Sequence, residues 1–260
     1  MPSTISGQTN AASTSSPRHL PGLQGAITVS TPGWRKVGVA IKSLKDSGIC
    51  VVEGQPGVGK TFAVSGQLAS LSLPVFWADM PHSPKGKEAT SRIYQAVTGE
   101  TPPKNMTEYA LTEETVGILE GLDAVLVIDE AQNLTISAVR QFRYFHDRPE
   151  SKLKFVLVGC NVRGTIGQVA EIVSRVARWV QIDPLSATEL GVVLPKFHPL
   201  FVNTTPAVLA ILQQHAGGNL RAWARIAESA TAYGATTCID PDTASIVLSM
   251  IRPHSARGRS

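Results

Sequence analysis

Three observations predict an α/β fold in which a parallel sheet core is followed by a small helical lid. Strand-length apolar runs alternate with helical stretches from residue 49 to residue 182. A glycine-rich turn joins the first of these runs to the first of these helices. Beyond Pro184 the pattern is helical throughout.

Taken in order, residues 1–25 are polar and carry Pro17 and Pro21, which predicts a disordered arm. The α/β core is expected to span 26–184. Val37, Ile41 and Leu44 recur at helical spacing and place a short helix before the first strand. Strands are expected at 49–53, 74–79, 124–129, 154–159 and 179–182. Helices are expected around 60–71, 86–97, 108–120, 135–145 and 165–175. Alternation at these lengths suits a doubly wound parallel sheet covered on both faces. The lid is expected over 185–251, with helices at 186–194, 206–216, 219–233 and 240–251. Residues 252–260 form a basic tail, and no internal repeat is visible.

Composition narrows the classes. A hydrophobic fraction of 43% supports a sizeable core. No apolar run is long enough to span a bilayer, and the N-terminus lacks the apolar stretch of a signal peptide. Cys50, Cys160 and Cys238 stand far apart in no metal-ligand spacing, and read as reduced core thiols of a cytoplasmic protein. The net charge of +4 is unevenly placed. Arg18, Arg35, Lys36, Lys42 and Lys45 precede the first acid, and Arg252, Arg257 and Arg259 close the chain. Basic arms suit a polyanion such as duplex DNA. A tail kept soluble by its charge explains the last nine residues equally well.

The motifs carry the chemistry. Gly54-Gln55-Pro56-Gly57-Val58-Gly59-Lys60-Thr61 follows the apolar run Ile49-Cys50-Val51-Val52 and matches the phosphate-loop pattern G-x-x-x-x-G-K-[ST]. Glycines let consecutive N–H groups converge on one anion, and the next helix adds its positive end. Lys60 would reach the β- and γ-phosphates, and the Thr61 hydroxyl would hold Mg²⁺. About seventy residues later, Ala124–Ile128 runs into Asp129-Glu130, the Walker B pattern. Asp129 would hold Mg²⁺ through water, and Glu130 would polarise the water that attacks the γ-phosphate. The run Asp129-Glu130-Ala131-Gln132 is also found in superfamily-2 helicases, but the chain is too short for their two domains. No guanine-selecting Asn-Lys-x-Asp motif is present, so ATP is the expected nucleotide.

Asn161 follows the fourth strand, Arg175 and Arg178 precede the fifth, and Gly217-Gly218-Asn219-Leu220-Arg221 opens a lid helix. With these motifs in this order, residues 24–250 resemble the AAA+ ATPases, a P-loop NTPase group, and within it the transposition regulators typified by MuB, TnsC, TniB and IstB. The resemblance implies Asn161 as sensor 1, Arg221 as sensor 2, and Arg175 as an arginine finger reaching a neighbouring subunit, with Arg178 as the second candidate. It implies self-assembly into a helical filament or ring on duplex DNA, and transposase or other transposition proteins as partners. It also implies that the segment Pro81–Glu88 faces DNA, making Lys85 and Lys87 phosphate contacts, with Lys104 a further candidate. Each residue also has a plain structural reading. Arg175 and Arg178 suit a solvated helix end, Asn161 a turn, Arg221 a surface ion pair, and the lysines a solvated loop. His82 reads as a surface residue, and Arg140 and Arg143 as a subunit interface or a polar helix face. The short polar arm replaces MuB's N-terminal helix-turn-helix region, so a TnsC-like or TniB-like architecture fits better. Alternatives are an ExeA-type motor, a helicase loader, or a nucleotide-gated module with negligible turnover.

Overall fold

Five strands, β1 (Ile49–Gly54), β2 (Val75–Asp79), β3 (Val125–Asp129), β4 (Lys154–Gly159) and β5 (Val176–Ile182), pair in parallel in the order β2-β3-β4-β1-β5. The computed structural model describes residues 23–148 and 151–251. The basic tail and the polar arm through residue 22 lie outside the described residues.

The three central strands are apolar along nearly their whole length because both faces of the sheet are covered. Cys50, Val52, Val125, Val127, Val156 and Val158 face one core. It is closed by α1 (Pro32–Lys42) and α2 (Lys60–Leu68). Ile49, Val51, Leu126, Ile128, Phe155 and Leu157 face the other. That core is closed by α3 (Gly86–Thr98), α4 (Glu108–Leu119), α5 (Ile136–His146), α6 (Val162–Ile166) and α7 (Ala170–Val173). The alternation of neighbouring residues between two cores is the strand period of two.

Three expectations need correction. The helix expected over 165–175 is two short pieces, α6 and α7, in a segment where Gly164 and Gly167 lower helix propensity. β5 begins at Val176 rather than 179, so Arg178 sits in a strand. That edge strand pairs only with β1, and its polar, exposed positions hide the period. Finally, the polar arm does not run to residue 25. Leu23, Ala26 and Val29 pack against the lid, and the Ile27 N–H donates to Phe197 O at 3.0 Å.

The lid comprises α8 (Ala187–Phe197), α9 (Pro206–Ala216), α10 (Leu220–Ala232) and α11 (Pro241–Met250). It has its own core, centred on Trp223, Phe201, Leu212 and Val247. Ser186 and Glu189 form a reciprocal capping box that starts α8 just after Pro184. Among the described residues, no helix is long and apolar enough to cross a membrane.

Candidate nucleotide site

A cavity of about 500 Å³ opens at the carboxyl ends of the strands, where open α/β sheets bind ligands. Its floor is the loop from Pro56 to Thr61, and one wall carries Asp129, Glu130, Gln132 and Cys160. The strap from Leu23 to Thr31, with Trp34, Ile182, Val193, Phe197 and Leu220, makes an apolar far end.

α2 begins at Lys60 and has no side-chain cap, so its first amides are available to an anion at the cavity. The Lys60 ammonium is buried and donates to Gly54 O at 2.8 Å and Gln55 O at 3.0 Å, and it lies 3.4 Å from Cys160 Sγ. Those partners hold the charge at the mouth of the loop.

Thr61 and Asp129 face each other. The Thr61 hydroxyl donates to Asp129 Oδ1 at 3.4 Å, and the Glu130 N–H donates to the same oxygen at 2.8 Å. Asp129 is only 5% exposed. Burial pushes its carboxyl above the ordinary aspartate range, and the nearby Glu130 and Asp79 charges push the same way. One hydroxyl and one buried carboxylate are hard oxygen donors. They suit Mg²⁺, which keeps several of its waters and takes the rest from phosphate. Glu130 stands at the exit of β3 in the left-handed conformation, with φ 53°. That turn carries its carboxylate to the cavity instead of the sheet face.

The lid touches the loop directly. Asn219 Nδ2 donates to Pro56 O at 2.8 Å, and the Arg221 N–H donates to Gly57 O at 3.1 Å. Gly57 has φ 83°, and a Cβ there would come 2.3 Å from Asn219 Oδ1, so the position needs glycine on both counts.

Residues 42–163 match the model of a family described as the AAA domain. Among solved structures, the chain is similar to the Aeropyrum pernix ORC2 protein in its ADPNP-ADP complexes. That match has 16% identity and a TM-score of 0.60, covering 87% of this chain and 67% of that one. It is similar to the Aeropyrum pernix ORC1 protein in complex with DNA, at 15% identity and TM-score 0.60, over 89% and 68%. It is also similar to the Thermotoga maritima RuvB Holliday junction branch migration motor, at 16% identity and TM-score 0.54, over 84% and 68%. No curated protein sequence matches the chain. The body is a P-loop NTPase fold.

Within this fold, the expected site residues fall into two groups. Residues 56–61, Asp129, Glu130 and Arg221 all line the cavity, and Gly54 and Gln55 lead into it. Asn161 does not line it. Asn161 is exposed, adopts φ 55° at the start of α6, and packs over Gly164. Cys160, one residue earlier, takes the place at the cavity wall. Of the three thiols only Cys50 is a core group, and burial pushes its pKa up to about 12.

Arg175 lies in the turn before β5, at the amino end of the strand whose other end, Ile182, lines the cavity. At 3.3 Å per residue, that strand separates them by roughly 20 Å. The Arg175 guanidinium grips Asp147 in two bonds, Nε to Oδ1 at 2.6 Å and a terminal nitrogen to Oδ2 at 2.7 Å. Arg143 and His146 meet the same carboxylate at 2.9 and 3.0 Å. These bonds, led by Arg175, hold the Asp147 carboxyl well below the usual range. Arg178 is engaged elsewhere, donating to Ser43 Oγ at 3.1 Å. Arg140 is exposed on α5. Lys85 is exposed at the start of α3, and His82 is exposed in the loop before it. Lys87 and Lys104 line a second, shallow groove of about 460 Å³ with Arg92, a cation the motif reading passed over. Gln132, Cys160, Asn219 and the Leu23–Thr31 strap were missed as well. Only the Gly-Gly-Asn cap before α10 carries a local signal, a helix start at Asn219.

Proposed function

We propose that this chain is an ATP-dependent DNA-binding ATPase that assembles on duplex DNA and regulates transposition, passing target DNA to a transposase, with ATP hydrolysis controlling assembly. The observation that carries the ATPase reading is one cavity that collects Lys60, Thr61, Asp129 and Glu130. Its apolar end, between Val193, Phe197 and the strap, has the shape and polarity for a base. The floor amides and Lys60 have the charge for phosphates. Thr61 and Asp129 would hold Mg²⁺, which on binding neutralises charge on the phosphate oxygens. Lys60 and the α2 amides orient the triphosphate. Glu130 accepts the proton of a water whose oxygen bonds to the γ-phosphorus as the bond to the bridging oxygen breaks and ADP leaves.

The DNA reading is supported by Lys87 and Lys104 on one shallow groove, by Lys85 exposed at the start of α3, and by the basic termini. The similar ORC1 protein was solved in complex with DNA. Phosphate contacts of this kind make binding sequence-indifferent and steeply salt-dependent. A gel shift at low salt with a non-hydrolysable ATP analogue, followed by electron microscopy, tests both halves. Retained DNA and filaments or rings are expected, and no retention would overturn the reading. A nucleotide-gated module with negligible turnover has one observation in its favour, the grip of Asp147 on Arg175 within the same chain. DNA-stimulated phosphate release separates the two. The ATPase reading expects wild type to exceed Glu130→Gln by a wide margin, and equal slow release would favour the module.

A further inference from the structure

The carboxamide of Gln132 spans a gap between two parts of the sheet end that the function needs in register. Its Oε1 accepts the Cys160 N–H at 2.8 Å, at the tip of β4. Its Nε2 donates to Glu130 Oε2, on the exit of β3. The two ends fix the orientation of the amide, because a backbone N–H can only donate and an ionised carboxylate can only accept. No other side chain of that length offers an acceptor at one fork and a donor at the other. Space is reserved for it as well, since a Cβ on Gly159 would come 2.1 Å from Gln132 Oε1. The residue's own carbonyl is engaged too, accepting the Thr165 hydroxyl at 3.2 Å. Gln132 lines the nucleotide cavity, and Asn161 does not.

We propose that Gln132 is the positioning residue of the hydrolytic site, holding the Glu130 carboxylate at a set distance from the β4 tip so that it meets the attacking water. It occupies the role that the resemblance assigned to Asn161, and reaches it from β3 instead of β4. The proposal rests on the reading that Glu130 activates that water. Glu130 sits on a left-handed turn and is exposed, so its side chain has few packing neighbours to fix it. The charge-assisted bond from Gln132 supplies the restraint. A misplacement of about 1 Å at a reacting group costs on the order of a hundredfold in rate.

The test uses the full chain with ATP, Mg²⁺ and duplex DNA, and measures turnover beside the affinity for a non-hydrolysable analogue. Gln132→Met keeps the volume and removes the amide. Gln132→Glu puts a carboxylate against Glu130. Gly159→Ala leaves Gln132 in place and pushes its amide aside. Each is expected to lower kcat by about tenfold or more while KM and analogue affinity stay within about twofold, the pattern of a group that acts only on the chemical step. Because Gln132 works through Glu130, the double variant Glu130→Gln/Gln132→Met is expected to be no slower than Glu130→Gln alone. Wild-type kcat in Gln132→Met, or independent losses that multiply in the double variant, would overturn the proposal. If Glu130→Gln is inactive and Gln132→Met is normal, only this proposal falls. If Glu130→Gln itself turns over at the wild-type rate, the Glu130 reading falls and takes the proposal with it.

Discussion

The two ends of the sheet are built from the same strands and differ in almost everything else. At the carboxyl end the strands stop at Gly54, Asp129, Gly159 and Ile182, and Lys60, Asp129 and Asn219 are buried around a cavity. At the amino end the charges form ion pairs at the surface. Lys154 bridges Asp46 and Asp123 at 3.0 and 2.7 Å, and Arg175 is clamped to Asp147 beside Arg143 and His146. Buried polar groups at a cavity are expensive to maintain and mark chemistry. Exposed ion pairs contribute little to stability and are free to exchange partners. The cavity therefore collects Lys60, Thr61, Asp129 and Glu130, while Arg175 stands away from it by the length of β5. An arginine so placed does not reach its own chain's cavity.

Substitutions that act on one end alone would sharpen this contrast. Arg175→Ala should lower DNA-stimulated turnover by about a thousandfold, the scale of an arginine finger supplied in trans. Nucleotide affinity, measured by titration with an analogue, should stay unchanged. Lys60→Ala should do the reverse, weakening ATP binding by roughly a hundredfold through the loss of charge-assisted phosphate bonds. Unchanged affinity would break the assignment of the carboxyl end. Asp147→Asn frees Arg175 without deleting it, so a loss of only about tenfold in turnover is expected. The clamp also has a pH signature. Asp147 is depressed, so its contribution to stability is complete above the ordinary aspartate value of 3.8 and is lost only as pH falls below it. Melting curves of Asp147→Asn and wild type should therefore converge only in strong acid.

Asp129 runs the opposite way and gives the smallest effect on stability. Its carboxyl is raised by burial, so the folded state loses stability as pH climbs from 3.8 through the raised value. Asp129→Asn keeps the acceptor for Thr61 and the Glu130 N–H and removes the buried charge. It should melt about 2 °C higher at pH 7, with the gain vanishing toward pH 3.8, and it should lose Mg²⁺-dependent nucleotide binding. A lower melting temperature at pH 7 would show that the buried charge carries no such cost.

The carboxyl end was legible wherever its residues are contiguous. The phosphate loop and Asp129-Glu130 are short runs whose neighbours in sequence are neighbours at the site, and apolar runs alternating with helices located four strands and the second half of β5. What stayed hidden depends on contacts between distant segments or on a single-residue phase. Gln132 matters because of Cys160, twenty-eight positions later. The strap at 23–31 gains its role only against Phe197 and the lid. Asn161 is the polar residue after β4, yet the strand ends at Gly159 and Asn161 turns left-handed to start α6, so Cys160 faces the cavity and Asn161 faces solvent. The same edge effect shortened β5, whose exposed Ala177 and Arg178 interrupt its apolar pattern.

Mixing two inactive chains tests most directly whether the two ends meet across a subunit boundary. Glu130→Gln keeps the arginine and loses the base, and Arg175→Ala keeps the base and loses the arginine. In equal proportions on duplex DNA, random neighbours in a head-to-tail assembly bring an intact cavity and an intact arginine together at roughly a quarter of the junctions. Turnover near that fraction of wild type is predicted. A mixture no more active than either chain alone would contradict a shared site.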